Sequence, residues 1–178
     1  ILKNIIKICE NTLNGVRAYM GTYFNPNNES FTRDKNSKIY IDKTGLLEYL
    51  NDVICTNSNC IAVSHARRFG KSHAAGMIDA YYSRGCDSYD LFKDTEIATK
   101  DNFKKHMNQY NVIHLDMASV WDFHKDDLIE EIQERFCNDL KKIYGNSLNY
   151  EKDLFLIINE IYDNEKIPFV IIIDEWDC

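Results

Sequence analysis

The spacing of apolar positions changes several times along the chain, and each change marks a predicted element. Ile1, Leu2, Ile5, Ile6, Cys9, Leu13 and Val16 recur at helical spacing, so residues 1–19 read as an amphipathic helix weakened by Gly15. Asn25-Pro26-Asn27-Asn28 opens a polar stretch that reads as loop. Lys38–Asp42 alternates briefly, as a small strand would, and Thr44 is placed to cap a helix running to about Ile54. Cys60-Ile61-Ala62-Val63 is a short apolar strand candidate. The helix predicted after it carries Ala74, Met77, Ile78 and Tyr81 on one face and ends near Gly85. Residues 86–110 are polar with small helical pieces, and Val112–Asp116 is a second strand. A helix over about Asp126–Tyr144 carries Leu128, Ile132, Phe136 and Leu140 on one stripe, with Gly145 as its stop. Another helix covers about Lys152–Tyr162. Phe169–Ile173, apolar at every position, is the third strand. Strand–helix–strand–helix–strand over residues 60–175 predicts an α/β fold: a parallel sheet with flanking helices. Uninterrupted apolar strands predict a sheet buried on both faces.

Composition changes this picture little. The 178 residues are 44% hydrophobic and 28% charged, with two prolines and seven glycines, as in an ordinary globular domain. Charge is more telling. Residues 1–120 carry 15 Lys/Arg against 13 Asp/Glu, and residues 121–178 carry 6 against 15, which makes the net charge of −7. An acidic chain without a long basic stripe argues against a dedicated nucleic-acid surface. The six cysteines, at 9, 55, 60, 86, 137 and 178, contain no C-x-x-C pair and read as reduced thiols. No apolar run approaches the length of a membrane span, and Lys3 and Lys7 interrupt the start, so a cytoplasmic protein is expected.

Two motifs carry chemistry. Gly70-Lys71-Ser72 stands between the first predicted strand and a helix. Phosphate binding needs backbone N–H groups aimed at oxygens and a helix N-terminus behind them. It also needs a Lys for the outer phosphates and a hydroxyl for Mg²⁺. The full pattern asks for Gly at position 65, where this chain has His65, a residue that enters the left-handed region at some cost. Asp174-Glu175 closes the last strand. An Asp there can hold Mg²⁺ and a Glu beside it can polarise a water, at the end of a parallel sheet where ligands bind. Each motif alone has a plain alternative, a basic loop capping a helix and a polar strand end; together, in order, they point to a nucleotide site. Arg67 and Arg68 could contact phosphates or remain solvated. His114, between Ile113 and Leu115, reads as a core or strand-face residue.

Five blocks in order, Met20–Phe31, Ile39–Gly45, Arg67–Ser72, Ala80–Asp87 and Ile172–Asp177, resemble the bacterial AAA-ATPase-like family, whose members are often fused to a C-terminal PD-(D/E)XK nuclease-like domain. The resemblance covers residues 20–178 and leaves 1–19 as a helical extension. It implies a P-loop NTPase of the additional-strand type that binds ATP and Mg. The cofactor-binding stretch would be Arg67, Arg68, Phe69, Gly70, Lys71, Ser72 and His73. Ser72 and Asp174 would hold the metal, and Glu175 would be the general base. The family usually has Ser-Arg-Pro before Arg-Arg-Phe-Gly-Lys-Ser, where this chain has Ser64-His65-Ala66. In such a sheet a further strand lies between the P-loop strand and the acidic (Walker B) strand. The chain is therefore expected to be the first part of one domain, truncated after the Walker B strand and needing a further segment or second chain to be stable. The expected function is an ATP-hydrolysing module of a larger protein, with a nuclease-like domain and other copies as candidate partners and no direct nucleic-acid or membrane contact. The alternatives are a degenerate regulatory scaffold without hydrolysis, or a partner-binding module of a nucleic-acid-processing protein.

Overall fold

A computed structural model describes residues 20–64, 69–121 and 128–175. The sequence-predicted helix over residues 1–19 lies outside them. The sheet consists of β1 (Asn111–Asp116) and β2 (Phe169–Asp174), which run parallel in a register that sets Asn111 beside Phe169 and Asp116 beside Asp174. The helices are α1 (Glu29–Lys35), α2 (Gly45–Val53), α3 (Lys71–Tyr82), the short α4 (Tyr89–Phe92) and α5 (Phe103–His106), α6 (Met117–Trp121), α7 (Leu128–Tyr144) and α8 (Leu154–Glu165). A 3₁₀ turn at Glu96–Thr99 lies between α4 and α5.

The mixed α/β architecture follows from how side chains alternate across the strands. Val112, Val170 and Ile172 point to one face and join Met77, Ala80 and Tyr81 of α3 in an apolar cluster that also takes Leu47 of α2 and Phe31 of α1. Ile113 and Phe169 point to the other face and pack with Phe136 and Leu140 of α7 and Ile157 and Ile161 of α8. Alternation of this kind is what lets one pair of strands feed two cores. Aromatic rings fill much of the first cluster, with Phe31 stacked on Phe92 at 4.7 Å and Tyr81 edge-on to Tyr82 at 4.9 Å. Gly76 allows α1 to approach α3 closely: a Cβ there would lie 3.0 Å from the Ser30 Oγ.

The helix ends match their chemistry. Asp153 caps α8 by accepting the Phe155 N–H at 2.8 Å, and Lys166, at φ 56°, turns the chain out of it. α7 opens with Glu130 and Glu131 and closes with Lys141 and Lys142, opposite in sign to its dipole ends.

Several expectations are corrected. Cys60–Val63 is not a strand. The segment is largely exposed and makes no ladder with any described segment, and without such pairing an apolar run has no reason to hold β geometry. Lys38–Asp42 forms no strand. Thr44 precedes α2, but its hydroxyl makes no cap; it accepts the Ile97 N–H at 3.2 Å instead. β2 is not covered on both faces, because Ile171 and Ile173 stay 58% and 54% exposed where α7 and α8 do not reach. α3 stops at Tyr82, a few residues ahead of Gly85: Ser83 takes an extended backbone, and the Asn108 side chain donates to the carbonyls of Ala80, Tyr81 and Ser83 at that end.

β1 is closed on its outer side by residues 23–25. The His114 N–H donates to the Tyr23 carbonyl, the Asn25 N–H donates to the Val112 carbonyl, and the Val112 N–H donates to the Asn25 side chain. The Asp139 carboxylate holds this segment by accepting the N–H groups of Thr22 and Tyr23, both at 2.7 Å. Cys55, Cys60, Cys86 and Cys137 are free thiols, as the spacing predicts, and burial pushes Cys86 up to about 11. No helix among the described residues is long and apolar enough to cross a membrane.

Candidate functional site

The start of α3 is built by a backbone turn. Gly70 has φ 80°, in the left-handed region, and directly precedes the first helical residue, Lys71. Only glycine enters that region at little cost. A Cβ at Gly70 would also sit 2.6 Å from the Lys43 Nζ, which donates to the Phe69 carbonyl at 2.7 Å. Lys43 arrives there because its neighbours are tied to the 3₁₀ turn. The Asp42 carboxylate accepts the Thr44 N–H at 2.8 Å and the Glu96 N–H at 2.9 Å, and Thr44 accepts the Ile97 N–H. Burial by itself would raise the Asp42 carboxyl; those N–H donors, with Lys35 nearby, hold it below its ordinary value, so Asp42 is an anion.

The helix start opens into a cleft of about 640 Å³. Asp34, Ser37, Lys43, Gly70, Lys71 and His73 give its polar lining. Ile39, Tyr40, Ile41, Val63, Phe69 and Met77 line the rest. Ile39 is 81% exposed and Phe69 59%, an apolar wall facing solvent beside a helix N-terminus. His73 Nδ1 lies 2.6 Å from the Asp34 carboxylate of α1.

A second polar group gathers where β1 and β2 end. Asp116 and Asp174 are register partners on the face of the sheet covered by α3. Asp116 accepts the Ala118 N–H at 3.1 Å and so turns the chain into α6. Asp174 accepts the Glu175 N–H at 3.0 Å, and Glu175 has a left-handed backbone, φ 49°. One residue pair inward along β1, His114 Nδ1 lies 2.6 Å from the buried Asp79 carboxylate of α3. Desolvation would lower His114, but Asp79, Asp174 and Asp116 outweigh it and raise the imidazole above its ordinary value. Asp79 is also raised, by burial first, with Asp174 adding to it. Facing carboxylates and a low local dielectric together keep a proton on this pair.

Residues 29–178 match the model of a family described as Predicted AAA-ATPase. The chain belongs to that AAA-ATPase-like family. No curated protein and no solved structure matches it. In this family member the matched stretch holds both polar groups, the cleft at α3 and the strand ends. Of the sequence-predicted residues, Phe69, Gly70, Lys71 and His73 come together at the cleft, and Ser72 is exposed on the first turn of α3. Asp174 and Glu175 stand half-buried at the end of β2. α3 spans the two groups, with Lys71 at its start in the cleft and Asp79 within the field of Asp174. Among the described residues no hydrogen bond joins Ser72 to Asp174. Arg67 and Arg68 lie outside the described residues.

Sequence reasoning passed over Asp116 and Asp79. Asp116 had a readable signal, since Val112–Asp116 ends in Asp as the last strand does. Asp79 sits at a helical position that only the packing of α3 on β1 makes significant. For a nucleotide the donor set fits: a glycine turn that a Cβ would fill, a Lys at a helix N-terminus, and an apolar wall for a planar ring. For Mg²⁺ the described residues offer no group of three or more His, Cys, Asp or Glu side chains. An ion carried in on phosphate oxygens keeps several waters and asks for only one or two protein ligands, which a hydroxyl and a strand-end carboxylate can supply.

Proposed function

We propose that this AAA-ATPase-like chain binds Mg·ATP at the start of α3 and hydrolyses it. The observation that carries the reading is the left-handed turn at Gly70, which starts a 12-residue helix in the lining of an apolar-walled cleft that Lys71 also lines. Those N–H groups would bind phosphate oxygens, and the helix dipole would favour their charge. Lys71 would hold the β and γ phosphates. Ser72 and Asp174 would be the protein's ligands to the ion, which when bound draws charge from the phosphate oxygens. Glu175 would orient and deprotonate the attacking water.

Titration with Mg·ATP tests the site. Lys71→Ala is expected to weaken binding about 10- to 100-fold, the worth of a hydrogen bond to a charged group. Equal binding by both proteins, or none by the parent, rejects it. Glu175→Gln is expected to bind ATP but lose turnover.

A second reading is a regulatory nucleotide-binding scaffold that does not hydrolyse. His65 in place of the first loop glycine favours it. Turnover by the parent that Glu175→Gln abolishes removes this reading.

A further inference from the structure

We propose that Lys43 is a second phosphate-binding cation of the nucleotide site, carried to it from outside the Gly70-Lys71-Ser72 turn. The inference rests on the ATP-binding reading above and assigns a residue that this reading does not use.

Lys43 belongs to no phosphate-binding motif. It lies 27 residues before Gly70 in the chain, in the irregular stretch ahead of α2. Two observations bring it to the site. Its ammonium donates to the Phe69 carbonyl at 2.7 Å, and it lies so close to Gly70 that a Cβ there would come within 2.6 Å of it. It also lines the cleft together with Lys71 and His73. An ammonium has three donors, and the Phe69 carbonyl takes one, so the others remain for an anion at the helix start.

Lys43 is exposed, but the backbone beneath it is held and its ammonium has a partner in the Phe69 carbonyl. A surface lysine with a free stem samples many rotamers and contributes little to a charge contact. Lys43 has anchored residues on both sides. Asp42 is clamped by the Thr44 and Glu96 N–H groups, and Thr44 is buried with its hydroxyl on the Ile97 N–H. The backbone that carries Lys43 is therefore fixed to the 3₁₀ turn at Glu96–Thr99, and the side chain reaches from there to the loop. A ligand with two or three phosphates brings enough charge to engage both ammonium groups, Lys71 from the helix and Lys43 from across the cleft. A single phosphate brings less charge and fewer acceptor oxygens to the pair. The expected signature is thus discrimination by phosphate number.

The test measures binding of Mg·ATP, Mg·ADP and AMP to the parent chain, Lys43→Met, Lys43→Arg and Lys71→Ala, with the thermal midpoint of each ligand-free protein alongside. Lys43→Met is expected to weaken Mg·ATP about tenfold or more while changing AMP by less than about twofold, with little change in midpoint. Lys43→Arg is expected to recover most of the loss. ATP affinity in Lys43→Met equal to the parent overturns the proposal while leaving the site intact, provided Lys71→Ala still loses binding. An equal loss for all three nucleotides with a lowered midpoint assigns Lys43 a loop-tethering role and also overturns it. No ATP binding by the parent rejects the nucleotide site itself, and this inference with it.

Discussion

Asp79 and His114 show how much one contact can decide. Asp79 comes from α3, His114 from β1, and their 2.6 Å contact is enclosed by the apolar cluster on one side and by Asp116 and Asp174 on the other. Removing the imidazole would leave a buried carboxylate facing two more. His114→Gln is expected to cost about 3 kcal/mol, the low end of the range for a broken buried pair, because His114 keeps some solvent contact. The pair also sets a pH dependence. Both groups are raised in the folded protein, so the folded state binds more protons than the unfolded state and stability falls as pH rises. The His114 contribution is full below its unfolded value of about 6.5 and disappears as pH climbs through its raised value. His106, lowered by burial, acts in the opposite direction but below that window. Urea midpoints at pH 6.5 and 8.5 check this: the parent should fall between them, and His114→Gln should stay level. None of this was legible from His114 alone, since a histidine between Ile113 and Leu115 reads as a strand-face residue and its partner is 35 positions away.

Among elements, the long periodic ones were legible and the short ones were not. α7 carries its apolar stripe at Phe136 and Leu140, and its end at Gly145 is where the sequence places it. β2 was equally clear from five apolar residues in a row. Cys60–Val63 has the same local character over a shorter run, but β structure needs a neighbour as well as a propensity, and no described segment supplies one. Thr44 likewise has the right residue type for a cap and spends its hydroxyl elsewhere. The start of α3 was legible because its chemistry is local: glycine, lysine and helix follow one another in the chain. That locality makes it testable by one methyl group. Gly70→Ala forces a side chain into φ 80° and against the Lys43 ammonium. It should lose about 1–2 kcal/mol of stability and weaken nucleotide binding, read by thermal unfolding and ligand titration on the same protein.

For the whole molecule, one polar knot joins the two cores. Glu165, the last residue of α8, accepts from Arg84 at 2.7 Å, from Tyr144 at 2.9 Å and from Asn111 at 3.0 Å. These groups come from the end of α3, the end of α7 and the start of β1. Glu165→Gln removes the charge and keeps the shape. It should cost about 1.5–3 kcal/mol, as expected for hydrogen bonds to a charged group, with urea unfolding still a single transition because both clusters loosen together. Sequence could not show this knot, since its members are spread over more than 80 positions and each is an ordinary polar residue taken alone. The sheet has a further property of the whole. Residues 23–25 occupy the outer side of β1 at Val112 and His114, so a further strand laid along β1 would have to displace them. Among the described residues none pairs with the other side of β2, which leaves that side for an extension. A strand added there would meet the one that ends in Asp174.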